Sequence, residues 1–315
     1  MALKARVVVF KLTHPLDKYL RTDRIPHIWC SGCGIGPALA ALFRALDKLD
    51  IPIEKTIFVS GIGCTGRVAG YWRGDGLHVT HGRPIPVALA IKLVRPDLNV
   101  IVFSGDGDLA TIGGNHLIHA ARRNHDLLVV LINNYNYGMT GGQYGATTPI
   151  GARTSSSPYG HIERPFNIPY LVAGAGAPYV ARWTSLHVHR LYETFVDALQ
   201  KRGFRLIEVI AQCPTNFGRR NRMPDAMDML EYFRKNSVIW NNAPLHEVGL
   251  DRPDGKIIVG KFLDVTDKVP TYEERYLALL QKLGAKLRAK VIGEHVEIDP
   301  MKFLEEFRKP NFYSK

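Results

Sequence analysis

Two short polar stretches, each following a run of apolar residues, carry the residue types of a cation site. The first consists of Gly105, Asp106, Gly107 and Asp108 after residues 100–104, and the second of Asn133 and Asn134 after residues 127–132. Mg²⁺ prefers near-octahedral coordination by oxygen and commonly bridges protein ligands to phosphate groups. We therefore expect the Asp106 carboxylate, the Asn134 side-chain oxygen and the Asn136 backbone carbonyl to hold Mg²⁺ beside a diphosphate.

Glycines flank the first of these candidate ligands. Gly105 and Gly107 allow the backbone to turn sharply and to approach phosphate closely. A glycine-flanked aspartate alone is equally compatible with an ordinary turn between a strand and a helix. Both stretches together, separated by residues 108–132 and each preceded by a strand-like run, resemble the thiamine diphosphate and Mg²⁺ motif. We interpret them as one cofactor site.

The composition is that of a globular protein with a substantial core. Hydrophobic residues make up 46% of the 315 residues and charged residues 22%. This length allows either about two domains or one large domain with extensions. No apolar stretch approaches the ~20 residues that a membrane span needs, and residues 1–12 are too short and too charged for a secretory signal. We therefore expect a cytoplasmic protein without a membrane partner.

The chain is strongly basic, with a formal net charge of +12. The densest group of cationic residues is formed by Arg219, Arg220 and Arg222. A charge of this sign favours acidic partners, but no zinc-finger or RNA-recognition signature accompanies it. We therefore predict no nucleic-acid partner and expect an acidic electron-carrier protein or an acidic partner subunit.

Apolar periodicity predicts an alternation of strands and helices. A helix is expected from Pro37 to about Asp50, with apolar residues at three- and four-residue spacing. It is followed by strand 56–60, a glycine-rich loop at 61–67, a helix after Pro84, strand 99–104, helix 108–124 and strand 127–132. This order indicates an α/β fold with a doubly wound, mostly parallel sheet that is covered on both faces. Ligands of such folds bind beyond the carboxyl ends of the strands, where the polar stretches lie.

The rest of the chain is divided by a change in composition. After a long, functional loop at 135–159 we expect strand 178–183, a helix with apolar residues from 188 to 199, and strand 204–210. Beyond residue 216 the chain is richer in charge and poorer in glycine, and a helix is predicted at 272–283. We therefore predict a cofactor-binding α/β domain at 1–216 and a C-terminal extension at 217–315 that packs on this domain or on a partner subunit.

Four cysteines can meet at the ligand-binding edge of this fold. Cys30 and Cys33 form a CxxC turn before the first helix, Cys64 lies in the glycine-rich loop, and Cys213 follows the last core strand. Four thiolates suit an iron–sulfur cluster or a tetrahedral zinc ion, and the softness of the ligands does not separate the two metals. The alternative is a redox-active CxxC pair with two buried thiols.

Six motifs in order resemble the β subunits of 2-oxoacid:ferredoxin oxidoreductases across residues 27–220. They are Trp29-Cys-x-x-Cys-Gly34, Gly61-Ile-Gly-Cys64, His81-Gly-Arg83, Gly105-Asp-Gly-Asp108, Asn134 through Met139-Thr-Gly-Gly-Gln143, and Cys213-Pro-Thr-Asn216. The resemblance implies an N-terminal cluster-ligand segment and a [4Fe-4S] cluster held by Cys30, Cys33, Cys64 and Cys213. It implies Mg²⁺ on Asp106, Asn134 and Asn136. The implied residues around thiamine diphosphate are Ile62, Gly63, Cys64, His81, Gly105, Asp106, Gly107, Asp108, Asn134, Tyr137, Gly138, Met139 and Thr140.

Two further residues have alternative roles. His81 is expected beside the diphosphate, but it could instead cap the helix that begins at Pro84. Arg67 follows a cluster ligand by three residues and is expected to pair with a substrate carboxylate, or else with an acidic group on the surface or on another subunit. The loop around Arg67 resembles the 2-oxoglutarate or broad 2-oxoacid branch of the family more than the pyruvate branch.

The resemblance also implies the reaction and the partners. A 2-oxoacid would be oxidatively decarboxylated with coenzyme A to acyl-CoA and CO₂, and the electrons would pass through the cluster to ferredoxin. Only one βαβαβ core is evident, so an α subunit, or a fused γα subunit, is expected to supply the pyrimidine-binding half and the coenzyme A site. The alternatives are a cluster-free thiamine diphosphate-dependent decarboxylase or carboligase, and a zinc-bound assembly protein without catalytic activity.

Overall fold

A mostly parallel sheet of eight strands forms the centre of the structure, a computed structural model that describes residues 14–282, 287–291 and 294–298. The strands are β1 Thr56–Ser60, β2 Asp75–His78, β3 Asn99–Gly105, β4 Leu128–Asn133, β5 Tyr179–Thr184, β6 Arg205–Ile210, β7 Ser237–Ile239 and β8 Ile257–Asp264. Their spatial order is β2-β1-β3-β4-β6-β5-β8-β7. Strands β1 to β6 run parallel, whereas β8 pairs antiparallel with β5 and parallel with β7. A separate antiparallel pair is formed by β9 Leu287–Val291 and β10 Glu294–Ile298.

Helices cover both faces of the sheet. They are α1 Ile35–Lys48, α2 Val68–Tyr71, α3 Pro84–Val94, α4 Gly114–Arg123, α5 Ile168–Ala175, α6 Val188–Leu199, α7 Ala226–Asn236 and α8 Tyr272–Lys282. Helices α1, α6 and α7 share one apolar core with Phe58 and Phe103, while α3, α4 and α5 share another with Val59 and Val102. Neighbouring strand residues thus point to opposite cores, as expected of a parallel sheet that is buried on both sides. The predicted α/β fold class is confirmed.

Most predicted core elements are observed with small shifts at their ends. The strand predicted at 56–60 is β1, and the helix predicted from Pro37 begins two residues earlier, at Ile35. The continuous helix predicted at 108–124 is wrong, because a π-helical turn at Gly107–Ile112 precedes α4. The Gly113 N–H donates to the Asp108 carbonyl five residues back, at 3.0 Å, and the chain starts a new helix there.

Several elements were not predicted, and some of them lie beyond residue 216. Strand β8 pairs along β5, from Tyr179 opposite Asp264, so part of the C-terminal region continues the core sheet. Helix α7 buries Met229 and Phe233 in the same core as α1. The helix predicted at 272–283 is α8, and its predicted last residue, 283, lies outside the described residues. The domain boundary at residue 216 stays a prediction.

The helices found in the described residues are too short or too polar to cross a lipid bilayer.

Candidate active site

A cavity of about 110 Å³ opens at the carboxyl ends of β1, β3 and β4. Every residue that the sequence analysis assigned to the thiamine diphosphate site lines it, together with Thr65 and Asn136. The parallel strands place the glycine-rich loop after β1, the Gly105–Asp108 stretch after β3 and the Asn134 loop after β4 side by side. The structure therefore brings together residues that are up to 78 positions apart, from Ile62 to Thr140.

Three oxygen atoms converge on one wall of this cavity. The side-chain oxygen of Asn134 faces the Asn136 carbonyl oxygen at 2.7 Å and the Asp106 Oδ1 at 3.2 Å. Three acceptors this close repel one another unless the Asn134 amide is rotated or a cation lies between them. Adjacent octahedral ligands at the Mg²⁺–oxygen distance of 2.0–2.1 Å are about 2.9 Å apart. The observed spacing fits Mg²⁺ without rotation of the amide.

The Asp106 carboxylate is buried without a cationic partner in the described part of the chain. Burial raises the pKa of Asp106 to about 7, and the hydrogen bond from Thr147 opposes this shift. Thr147 is itself fully buried, and its Oγ1 donates to Asp106 Oδ2 at 2.5 Å. A buried carboxylate normally requires a counter-charge, and a divalent cation at Oδ1 would supply it.

Asp108 performs a different task from Asp106, because donors of the protein already bind both of its carboxylate oxygens. Oδ1 accepts from the backbone N–H groups of Ile62 at 3.2 Å and Gly82 at 2.7 Å, and Oδ2 accepts from Ser104 Oγ at 2.8 Å. The side chain is 1% exposed. Asp108 therefore ties the glycine-rich loop and the His81 loop to the end of β3.

His81 lies at the rim of the cavity and is fixed by Asp108. Its Nδ1 is 2.6 Å from Asp108 Oδ1, and 31% of its side chain is exposed. A carboxylate can only accept, so Nδ1 carries the proton and Nε2 is left for other partners. The alternative role as a helix cap is wrong, because Arg83 precedes α3 and no side chain caps that helix.

The two consecutive asparagines point to opposite sides of the sheet. Asn134 lines the cavity, whereas the Asn133 amide donates to Glu208 Oε1 at 2.8 Å inside the core. Glu208 is also paired with Arg182 at 2.6 Å, and both side chains are fully buried. Asn133 therefore satisfies a buried ion pair, and only Asn134 is available to a ligand.

The four cysteines surround a second, smaller cavity of about 50 Å³. Cys30 is exposed, and the other three thiols are partly buried. Burial raises the pKa of Cys33 to about 12 and that of Cys64 to about 11, and neighbouring thiols add to both shifts. Binding of a metal would therefore require these thiols to release protons.

The two cavities share a wall. Cys64, Asn134 and Gly138 line both of them. A Cβ atom on Gly138 would lie 3.7 Å from the Sγ atoms of both Cys64 and Cys213, so this glycine sits directly against two of the thiols. Asn216 fixes the wall from the other side, because its side-chain amide donates to the Gly138 carbonyl at 2.7 Å.

Arg67 is the one predicted site residue that lines neither cavity. It is partly buried, and within residues 14–282 its side chain forms no hydrogen bond or ion pair, so the alternative of a salt bridge within this part of the chain is not observed. Burial, and then the charge of Arg67, lowers the pKa of His78. A role with the substrate stays a prediction.

Sequence reasoning missed Thr147, Thr65 and Ser104. Thr147 comes from the long loop after β4, whose lack of periodicity gives no sign of which hydroxyl will reach Asp106. Ser104 is the last residue before the Gly105–Asp108 stretch, and it bonds Asp108 and accepts from the Gly61 N–H at 3.3 Å.

Comparisons with known proteins agree with this geometry. The thiamine pyrophosphate enzyme family, C-terminal TPP-binding domain, matches residues 61–209. The 2-oxoglutarate synthase subunit KorB of Methanocaldococcus jannaschii is 48% identical over 273 residues, which cover 87% of this chain and 100% of that protein. The 2-oxoacid:ferredoxin oxidoreductase subunit beta of Saccharolobus solfataricus is 40% identical over 189 residues, which cover 59% and 62% of the two chains.

A solved structure matches almost the whole chain. It is the 2-oxoglutarate:ferredoxin oxidoreductase from Magnetococcus marinus with 2-oxoglutarate, coenzyme A and succinyl-CoA bound. The TM-score is 0.76 at 29% sequence identity, and the match covers 92% of this chain and 94% of the other. The resemblance found in the sequence is thereby confirmed. With a thiamine diphosphate-binding domain at its centre and near full-length relatives of one kind, the chain belongs to the family of β subunits of 2-oxoacid:ferredoxin oxidoreductases.

Proposed function

We propose that this chain, together with an α subunit, catalyses the oxidative decarboxylation of a 2-oxoacid with coenzyme A to acyl-CoA and CO₂, and passes the electrons to ferredoxin. Relatives named for 2-oxoglutarate support that acid as the substrate. The observation that carries the proposal is the wall of Cys64, Asn134 and Gly138 common to the two cavities. This wall supports a diphosphate site that lies beside the cavity surrounded by the four cysteines.

The first cavity fits Mg²⁺ and thiamine diphosphate. Bound thiamine diphosphate supplies a carbon nucleophile for the keto carbon of the 2-oxoacid and takes up the electrons that decarboxylation leaves behind. Asp106, Asn134 and the Asn136 carbonyl hold Mg²⁺ in our proposal, and the three converging oxygens support this. His81 lies at the rim of this cavity in our proposal, and Asp108 holds its ring so that Nε2 is left for the diphosphate.

The second cavity fits a [4Fe-4S] cluster better than zinc. A tetrahedral zinc site needs its ligands about 2.0–2.3 Å from one ion, whereas each thiolate of a cluster binds its own iron. In the described part of the chain, no three cysteine, histidine or carboxylate side chains converge on a position for a single metal ion. Four thiols that surround a cavity rather than a point support the cluster. Cys30, Cys33, Cys64 and Cys213 would hold the cluster, which would supply one-electron transfer from the 2-oxoacid toward ferredoxin.

The partner subunit completes the first cavity in this proposal. Ile62 and Met139 line the cavity yet are 42% and 45% exposed, which leaves an apolar rim for another protein surface. We propose that the α subunit covers this rim and brings the pyrimidine-binding half and the coenzyme A site. Arg67 then pairs with the distal carboxylate of the substrate, since no acidic group in residues 14–282 occupies its guanidinium.

Anaerobic purification with the co-expressed α subunit tests the function. We expect about four iron and four sulfide per β subunit, and an EPR signal of a reduced cluster that appears on addition of 2-oxoglutarate and responds to coenzyme A. Arg67→Ala should raise KM for 2-oxoglutarate more than KM for pyruvate. A complex that contains zinc, or no metal at the thiols, and still decarboxylates the 2-oxoacid would instead identify a cluster-free decarboxylase or carboligase.

A further inference from the structure

The thiols differ in which side of the protein they face. Cys64 and Cys213 lie against Gly138 and hence against the cofactor cavity. Cys30 is the exposed member of the four. The rate of electron transfer falls steeply with distance. Electrons that reach a cluster from the side of Cys64 therefore leave it most readily on the exposed side, next to Cys30. A protein that collects them must bind over that edge.

The surface around Cys30 is apolar and is built from two segments. Ile28, just before the CxxC turn, is 57% exposed, and Met227, in the first turn of α7, is 68% exposed. The two segments pack directly together, because a Cβ on Gly32 would lie 2.2 Å from the Ala226 Cβ. The exposed isoleucine and methionine of these two adjoining segments offer a carrier an apolar contact.

The segment that leads from Cys213 to α7 is rich in cationic side chains. The segment between the ligand Cys213 and α7 contains Arg219, Arg220 and Arg222. Arg220 is directed inward, since its Nη1 donates to the Asn216 carbonyl at 3.2 Å and to the Asn216 Oδ1 at 3.1 Å. Arg219 and Arg222 are exposed, and within residues 14–282 neither guanidinium forms a hydrogen bond or ion pair.

Two further observations concern the charge of this segment. Arg222 has a φ of 62°, in the left-handed region that glycine adopts with less strain. A cationic side chain therefore occupies a position at which glycine would be less strained. Asp225 and Asp228 are nearby, but they form the capping box of α7, where Asp225 Oδ1 accepts from the Met227 N–H at 2.8 Å. Their negative charges therefore interact with the positive N-terminal end of α7 and form no ion pair with Arg219 or Arg222.

We propose that Ile28, Cys30 and Met227, together with the exposed Arg219 and Arg222 of the segment before α7, form the docking site of the acidic electron carrier. The apolar centre makes the close contact, and the arginines attract the carrier and orient it. The net charge of +12 on the chain has the sign needed to steer an acidic protein. This inference rests on the proposed function, because it requires a cluster that is reduced by the 2-oxoacid.

The test uses the complete complex with the α subunit and the double variant Arg219→Glu/Arg222→Glu. We expect KM for an acidic ferredoxin to rise about ten-fold at low ionic strength, because charges at the edge of an interface act mainly on association. The difference should shrink as salt is added. Reduction of methyl viologen by 2-oxoglutarate should be unchanged, since this small acceptor needs no docking surface.

A matched control reverses two exposed charges elsewhere. Arg44→Glu/Lys48→Glu changes the same number of charges in the second half of α1, about 14 Å and about 20 Å along that helix from its start near Cys33. It should leave KM for ferredoxin within about two-fold of the unmodified complex. A neutral pair, Arg219→Gln/Arg222→Gly, suits the backbone at both positions and should give an intermediate rise in KM even if the charge-reversed variant folds poorly.

The outcomes separate this proposal from the function on which it rests. If the unmodified complex does not reduce methyl viologen with any 2-oxoacid, the proposed function fails. If it does, and KM for ferredoxin is the same in the arginine variants as in the α1 control, the docking site is elsewhere. Loss of the α subunit during purification of the arginine variants, with the α1 control intact, would assign this surface to the α subunit and overturn the proposal.

Discussion

At the scale of single residues, Thr147 decides how Asp106 presents its carboxylate. The hydroxyl donates to Oδ2 at 2.5 Å and leaves Oδ1 facing Asn134. A hydrogen bond to a charged group contributes roughly 1.5–3 kcal/mol, so we expect Thr147→Val to weaken binding of thiamine diphosphate with Mg²⁺ about ten-fold or more. The melting temperature of the cofactor-free complex should also fall, because the same hydrogen bond to the buried carboxylate is lost there.

Titration calorimetry of the cofactor-free complex with Mg²⁺ and thiamine diphosphate measures this effect. Thr147→Ser keeps the hydroxyl and should restore most of the affinity. An unchanged dissociation constant for Thr147→Val would show that Asp106 does not depend on this bond.

Sequence reasoning could locate the proposed Mg²⁺ ligands but not every residue that fixes them in place. The glycine-flanked aspartate and the asparagine after the next strand identify Asp106 and Asn134, because both motifs are local and lie at predictable strand ends. Strand alternation explains why Asn133 turns away toward Glu208. Thr147 reaches Asp106 across 41 positions, and this contact depends on the path of an irregular loop that carries no periodic signal.

At the scale of elements, the turn after β1 has no room for a side chain. A Cβ on Gly61 would lie 2.0 Å from Asp108 Oδ2, the carboxylate that holds both loops at the cavity. We expect Gly61→Ala to lower stability by about 1–3 kcal/mol and to weaken cofactor binding, because the loops must shift together. Gly36→Ala is the control, since no atom lies within 4 Å of that Cβ and alanine favours the helix.

The melting temperature and the cofactor affinity of Gly61→Ala and Gly36→Ala test whether Gly61 leaves no room for a side chain. If the folded Gly61→Ala protein had an unchanged melting temperature and an unchanged cofactor affinity, Asp108 would not be what links the glycine-rich loop to the His81 loop.

The central strands that were predicted well share one property, a continuous apolar run that is buried on both faces of the sheet. Strands β1, β3 and β4 have it. Strand β8 was missed because it runs antiparallel near an edge and contains Gly260. Helix α7 had a readable signal in Asp225 and Asp228 three residues apart, which form its capping box. The prediction of a single helix at 108–124 was wrong because hydrophobic periodicity does not reveal a π-helical turn.

At the scale of the whole molecule, the C-terminal region is anchored at the end of the sheet opposite the site. Glu273 of α8 is 2% exposed, pairs with His125 at 2.8 Å and accepts from the Asp126 N–H at 3.1 Å. These partners directly precede β4, whose other end carries Asn134. We expect Glu273→Ala to cost about 2–4 kcal/mol of folding stability and to leave the cofactor dissociation constant of the folded protein unchanged.

Urea denaturation together with cofactor titration measures both quantities. Glu231→Ala is the control, because Glu231 forms exposed ion pairs with Arg234 and Lys235 and its loss should matter little. Weaker cofactor binding by the folded Glu273→Ala protein would mean that the two ends of the sheet are coupled.

The exposure of Cys30 bears on the sensitivity of the proposed cluster to oxygen. The thiols on the cofactor side are shielded by Gly138 and its neighbours, whereas the edge at Cys30 is open to solvent. Dissolved dioxygen is a small electron acceptor and would reach a cluster by the same edge. In the proposed function, a more deeply buried Cys30 would protect the cluster but would also lengthen the distance over which electrons pass to the carrier. If the four cysteines hold the proposed cluster, we therefore expect rapid turnover only where oxygen is scarce or where a bound carrier covers Cys30.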